Sequence, residues 1–402
     1  MENLDRAPDT IRKRNRSRVF SILAAQGKIS RSELAQASGL NRATISSVIE
    51  DFAALDLVQE VGPGHSRGGR PPMLLEFNPD AAYALGASMR DHSWTLVRTD
   101  LAARIVDRET VTMRDLSPSA AVDAVTAGVE ELRRRAGSAT LLPALGLGPP
   151  GLVDVRSGLI VSAADVGWAN VPFGALVESR TGLPTAVANR SKVSALAEYW
   201  HTDSRRAGDL IYVSVGTGVA AGVIHRGELF MGTNSSAGEL GHVTVLPDGP
   251  PCACGNRGCL QQLVSESALA QRARIALRSA EKGLLLKTAG HLPEHLAAED
   301  VLEAGEAGDE TAVAVIRETA EYLAIGVATL VNLFNPRSVC LGGPMIEQSR
   351  LLYEETVGGV QRRAMSYPLS VLDIRRSALG MEAGAVGASV LILKNADKLL
   401  FS

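Results

Sequence analysis

The sequence predicts an α/β protein in two parts: a small helical head with a β wing, and a large strand-and-helix domain carrying a metal-binding loop. Three observations carry that prediction. Residues 30–52 hold two short helix patterns around a glycine turn. A strand-strand-strand-helix order occurs twice beyond residue 81, which implies a duplicated α/β core. Three of the four cysteines, Cys252, Cys254 and Cys259, fall in one run shortly after His242.

Composition bounds the answer. At 402 residues, 46% hydrophobic and 21% charged, the chain is long enough for two or three globular domains. A net charge of −3 excludes a globally basic nucleic-acid binder, so DNA contact would need a local patch. No apolar run approaches a membrane span and the N-terminus is charged and polar, so a cytoplasmic protein without membrane contact is expected.

The head is expected over residues 1–80. Arg6, Arg12, Lys13, Arg14, Arg16 and Arg18 crowd a first helical stretch that continues into Val19, Ile22 and Leu23. Ser30 and Glu33 form a capping box for a short helix, which ends at the turn Ser38-Gly39-Leu40. Asn41 caps the next helix, whose apolar residues Ile45, Val48, Ile49 and Phe52 recur at helical spacing. Two helices so joined read as a helix-turn-helix. Residues 57–61 and 73–77 read as two strands around a loop, a wing, with His65, Arg67 and Arg70 suited to phosphate or minor-groove contact. With the second helix in a major groove of double-stranded DNA, Arg42, Thr44, Ser46 and Ser47 are the candidates to reach bases or phosphates. The alternative is a helical interaction module that never meets DNA.

In the large domain, residues 83–88, 94–97 and 104–106 read as strands, 120–135 as a helix and 144–148 as a strand running into the turn Pro149-Pro150-Gly151. A hairpin at Gly158, a helix over 173–180 and a strand over 183–187 follow. Residues 210–215 and the return to Ile224 make a second strand pair around Gly216-Thr217-Gly218. A helix is expected over 263–279, a loop with an uncertain helix over 284–299, a long amphipathic helix from Ile316 to Leu333, and a strand over 338–342 with Cys340 in its core. A Gly/Ala-rich helix over 380–394 should pack closely on a neighbour.

His242, Cys252, Cys254 and Cys259 make a closed set of one imidazole and three thiolates, the kind Zn²⁺ takes in structural sites. Gly255 and Gly258 allow the tight backbone such convergence needs. With all four positions filled by protein, the zinc would be structural and not catalytic. Buried free cysteines or a redox motif are the alternatives.

Glu-x-Gly-His (Glu239–His242) followed by Cys-x-Cys-Gly-x-x-Gly-Cys (Cys252–Cys259) resembles the ROK family, which joins sugar-responsive repressors and sugar kinases. The head, down to the Gly69-Arg70-Pro71 that ends its wing, is similar to the winged helix of the repressor branch. The resemblance implies an actin-like (ribonuclease H-like, sugar-kinase-type) domain over 81–402. Its lobes would span roughly 81–195 with the C-terminal helix, and 196–380. It also implies a homodimer or homotetramer, and regulation, as a repressor, of carbohydrate-related genes by a sugar or sugar-derived effector.

The effector residues implied by the resemblance are Gly151, Asp165, Asn189, Arg190, Glu239, His242 and Gln261. Asn189, Glu239 and His242 match the family's polar set; Asp165, Arg190 and Gln261 depart from it. Arg190 stands where the kinases have their general-base Asp, and Ser88 where they have the Asp of the first phosphate loop, with Arg90-Asp91-His92 in place of Gly-Gly-Thr. Phosphoryl transfer needs a group to orient the nucleophile, and a guanidinium accepts no proton. No enzyme activity is therefore expected; the rival, an active ATP-dependent sugar kinase, would need Asp at 88 and 190. Three fates of the pocket stay open: Arg190 pairs with Glu239 or Asp165 and fills it, or binds an anionic effector, or the effector is an unmodified sugar.

Overall fold

The computed structural model describes residues 7–64, 71–202, 208–279, 283–290 and 293–401. The chain starts with α1 (Ala7–Ala25), β1 (Lys28–Ser30), α2 (Arg31–Ser38), α3 (Arg42–Ala53), β2 (Val58–Pro63) and β3 (Met73–Phe77). Both expected caps form. Ser30 Oγ accepts from the Glu33 amide at 3.3 Å while the Glu33 carboxylate accepts from the Ser30 amide at 2.9 Å, and Asn41 Oδ1 accepts from the Thr44 amide at 2.8 Å. Gly39, at φ 67°, ends α2 in the left-handed region. Ile45, Val48, Ile49 and Phe52 are the buried face of α3. The short strand β1 was not legible in the sequence; it lies on β3 and gives a sheet of order β1-β3-β2. Residues 65–70, with His65, Arg67 and Arg70, lie outside the described residues.

Next come β4 (Tyr83–Arg90), β5 (Ser93–Asp100), β6 (Ile105–Thr112), α4 (Pro118–Ala136), β7 (Leu141–Gly148), β8 (Leu152–Asp154), β9 (Leu159–Ala163), β10 (Trp168–Val171), α5 (Phe173–Thr181) and β11 (Thr185–Val187). Then follow α6 (Arg190–His201), β12 (Leu210–Val215), β13 (Val219–His225), β14 (Glu228–Leu229), β15 (Ser338–Gly342) and β16 (Asp373–Arg376). The two five-stranded sheets have the orders β11-β7-β4-β5-β6 and β14-β13-β12-β15-β16. Each is an antiparallel three-strand meander extended by two parallel strands. One topology built twice is the duplication the element order implied.

Between the sheets run α6 and the C-terminal helix Ala383–Leu393, packed on each other. The C-terminal helix lies on β4 and β7, and α6 lies on β12 and β13. Glycines set this approach: a Cβ on Gly146 would fall 1.7 Å from the Ala388 carbonyl oxygen, and one on Gly387 the same distance from that of Val193. The sheet-to-sheet core continues without a break into the head, from Ala195 and Val390 through Ala396 to Val19 and Phe52. A lobe boundary at about 195 would fall inside α6.

Some expectations differ from the structure. The helix expected over 263–279 is cut at Ser265, whose hydroxyl caps Glu266–Ala276 after a first short turn, Gln261–Val264. The expected loop over 284–299 contains the helix Leu284–Ala289 and the start of another, Ala298–Glu306. The long amphipathic helix spans Glu310–Phe334 and stops at Asn335 in the left-handed conformation. Cys340 is fully buried in β15, as expected. Among the described residues no helix is long and apolar enough to cross a membrane.

Candidate functional site

Gly151, Asp165, Asn189, Arg190, Glu239, His242 and Gln261 all line one cavity of about 360 Å³ between the two sheets. A space of this size suits a small ligand. Gly151 makes the turn after β7: at φ 81°, its Cβ would fall 2.2 Å from the Ser162 carbonyl oxygen. That glycine is required by backbone packing whatever the ligand. Asn189 caps α6 by accepting from the Ser191 amide at 2.8 Å, and its Nδ2 donates to the Gly151 carbonyl at 2.6 Å. Its amide is thus spent on holding the turn to the start of α6.

Gln261 Oε1 accepts from the Val219 amide at 3.3 Å, which ties the cysteine loop to β13. Glu239 is placed by Gly238, whose carbonyl accepts from the Ala221 amide at 2.7 Å and whose missing Cβ admits the Ala221 carbonyl. Burial pushes the Glu239 carboxyl up, while Lys192 and His242 pull it down. Lys192 escaped the sequence reading. It is buried, donates from Nζ to the Ser235 carbonyl, and has its pKa lowered by desolvation. Its only sequence signal is a position two residues into α6.

Arg190 is the first residue of α6 and donates from Nη1 to the Met89 carbonyl at 3.0 Å. Among the described residues it has no carboxylate within 4 Å, so it pairs with neither Glu239 nor Asp165. The self-filled pocket is not what forms. The β4–β5 turn, where the resemblance puts the first phosphate loop, is tight. The β4–β5 ladder runs through Ser88↔Thr95, Met89↔Trp94 and Arg90↔Ser93, leaving only Asp91 and His92 to turn, with Asp91 at φ 50°. Ser88 is buried and donates to the Gly148 carbonyl at 3.0 Å. Gly216 and Gly218 close a tight hairpin through a 3.0 Å backbone bond.

At the rim of the cavity, one ligand atom from each of His242, Cys252, Cys254 and Cys259 lies within 4.8 Å of all the others. Cys252 Sγ is 3.6 Å from His242 Nδ1 and Cys254 Sγ is 3.6 Å from Cys259 Sγ. A tetrahedral ion with bonds of roughly 2.0–2.3 Å needs edges of this length. The loop is shaped by Gly255 at φ 92° and Gly258 at φ 62°; a Cβ on Gly258 would fall 1.5 Å from the Leu246 carbonyl oxygen. The thiols of Cys252 and Cys259 are driven in opposite directions. Against desolvation, hydrogen bonds from the Cys254 backbone and side chain and from His242 draw Cys252 down to about 6, while burial and the neighbouring thiols push Cys259 up to about 12. The donor set fits a metal ion, and Gln262 Nε2 donates to Cys252 Sγ at 3.7 Å behind it.

In the head, Arg42, Ser46 and Ser47 are exposed on α3 and Thr44 is half-buried. Arg42 and Ser46 line an open groove with Arg31, Ser32 and Pro72. Part of the basic set is spent internally. Arg12 pairs with Asp51 at 2.7 Å, Arg31 with Glu60 at 2.8 Å, and Arg16 lies 4.3 Å over the ring of Phe401.

Residues 89–395 match the model of the ROK family. The chain is 28% identical over 384 residues to a xylose repressor of Bacillus subtilis (strain 168), covering 95% of this chain and 96% of that one. A solved ROK family transcriptional regulator, a homolog of the E. coli MLC protein, superposes with a TM-score of 0.83 at 25% identity over 97% of this chain and 98% of its own. A ROK family glucokinase from Streptomyces griseus, in complex with glucose and AMPPNP, superposes with a TM-score of 0.69 at 28% identity, covering 77% of this chain and 98% of its own. The large domain therefore has the mixed α/β, actin-like fold of these sugar kinases, while the regulator matches nearly the full length. The chain belongs to the ROK family.

Proposed function

We propose that this protein is a DNA-binding transcriptional regulator, a repressor of carbohydrate-related genes, controlled by a sugar-derived effector in the interlobe cavity. The observation that carries the reading is the combination, in one chain, of an exposed Arg42-bearing helix with a cleft whose first phosphate loop is a closed two-residue hairpin. The first feature belongs to DNA recognition and the second removes the cradle a nucleotide would need. The full-length likeness to a xylose repressor and to a ROK regulator supports it. In this reading α1–α3 and β1–β3 are a winged helix-turn-helix and α3 enters the major groove, with Arg67 and Arg70 as further candidates for DNA contact. The protein is cytoplasmic and not a kinase.

The ion held by His242, Cys252, Cys254 and Cys259 is Zn²⁺, a structural ion that stiffens the loop carrying Glu239 and Gln261 to the cavity. Effector binding favours one lobe arrangement, and that preference is the only source of regulation. The route to the head starts at Asn189 and Arg190, runs along α6 to the C-terminal helix, and ends at the tail helix Ala396–Leu400 packed on α1. Two heads on a two-fold dimer would read a repeated operator. The exposed Leu333, Phe334, Met365 and Tyr367 lie around the end of the long helix, where the Met365 amide donates to Asn332 Oδ1 at 3.0 Å, and suit such an interface.

The test is binding of the full chain to DNA from its own upstream region, titrated with salt and then with sugars and sugar derivatives. Affinity falling steeply with salt, and release by one sugar class, are expected. Absence of binding at low salt by folded protein would overturn the regulator.

A further inference from the structure

We propose that the cleft contains a phosphoryl-binding subsite built by Arg90 and Arg190, and that the effector is a phosphorylated sugar. The inference rests on the effector-controlled reading above and names the chemical class of the ligand.

Arg90 ends β4 and Arg190 begins α6, and both line a small cavity of about 30 Å³ with Ser88, Tyr212, Ser214 and Gly343. Arg190 and Ser214 also line the 360 Å³ cavity, so they form the wall between the two spaces. Arg190 uses one N–H on the Met89 carbonyl; Arg90 uses its two Nη on the Met381 sulfur at 2.8 Å and carbonyl at 2.6 Å. These bonds aim the two guanidiniums without pairing either with a carboxylate. Among the described residues neither has a carboxylate within 4 Å. Burial, then the charge of Arg190, lowers the pKa of Arg90, as expected of two cations facing one crevice. Asp91, Glu266 and Glu347 are the carboxylates whose field reaches the pair, and burial pushes both Glu266 and Glu347 up, against their charged forms.

Two guanidiniums lining one crevice, neither in an ion pair, call for a dianion. A phosphate monoester carries about −1.5 to −2 at pH 7 and accepts forked bonds from Arg; a sugar carboxylate carries one charge. The small cavity holds neither a sugar ring nor a nucleotide. The phosphoryl group is therefore seated on the Arg190–Ser214 wall, with the sugar in the larger space among Asp165, Glu239 and His242.

The experiment is calorimetric titration of the full-length protein, without DNA, at fixed ionic strength. Inorganic phosphate should bind saturably, on the order of millimolar, and Arg90→Gln or Arg190→Gln should weaken it about tenfold, whereas Arg156→Gln on the β8–β9 turn should not. On the wild-type protein, which needs no variant to fold, a hexose 6-phosphate or pentose 5-phosphate should bind at least about tenfold tighter than the same sugar unphosphorylated. Absence of saturable phosphate binding, binding by both variants as tight as by the wild type, or a free sugar as tight as every phosphorylated one would overturn the subsite. Release of operator DNA by an unphosphorylated sugar alone would sink this inference and leave the regulator standing. Phosphate binding without DNA binding would do the reverse.

Discussion

Phe401 lies across Phe52 with ring centroids 5.7 Å apart and planes tilted by 32°. Phe52 is the last buried residue of α3, the helix whose opposite end presents Arg42. The tail helix, which ends just before Phe401, follows the C-terminal interlobe helix, so this segment joins the cleft to the head. Arg16 stacks on the outer face of Phe401, and Ser17 donates to Asp397 beside it. An aromatic pair and a cation–π contact contribute about 1–2.5 kcal/mol together. That is of the order of the entropy of fixing one or two residues, so the clasp holds the tail by a narrow margin.

Phe401→Ala should therefore loosen the head and not the lobes. A loss of about 1–2.5 kcal/mol is expected locally. Hydrogen exchange should speed up in α1 and α3 while amides of β12 and β15 keep their protection. Equal acceleration in both places would count against a clasp specific to the head.

On DNA, Arg42→Ala should weaken binding and lower the salt slope by about one. Arg12→Ala should matter less, because Asp51 already compensates that charge. Anisotropy titrations at several salt concentrations separate the two, and a larger effect at Arg12 would displace α3 as the reading helix.

Metal removal gives a third test. Cys254→Ala, or a strong chelator, should abolish stoichiometric zinc and lower Tm, with Cys340 unaffected because it lies in the core of β15. Thiolates bind the metal and protons compete for them, so release should become easier as pH falls. Metal analysis of the purified protein showing none bound, with an unchanged melt after chelation, would remove the ion from the account.

Restoring the acid at one position should not restore an enzyme. Arg190→Asp is expected to show no sugar-dependent ATP turnover above background, because the hairpin at Asp91–His92 still occupies the first phosphate loop. A coupled assay with a panel of hexoses checks this; turnover would mean that a nucleotide finds another seat.

Tyr367→Asp, at a residue 83% exposed, should shift sedimentation from dimer to monomer with little change in Tm. An unchanged sedimentation coefficient would place the dimer surface elsewhere.

What the sequence determined by itself was whatever depends on neighbours in the chain. The Ser30–Glu33 box, the Asn41 cap, the apolar stripe of α3 and the His/Cys run each close their contacts within a few residues, or within one loop. Their chemistry is therefore written in local order. The tertiary structure decided everything that needed a distant partner. The short strand β1 exists because β3 pairs with it, and β16 because β15 does. Lys192 is buried only because α6 is covered by the second sheet. Arg190 meets the carbonyl of Met89 across 101 residues of chain, which is what brings Arg90 beside it. Sequence spacing carries no information about such encounters, because they are set by how two sheets and two glycine-fitted helices stack. The same stacking decided that Asn189 and Gln261 spend hydrogen bonds on backbone and that Phe401 closes on Phe52.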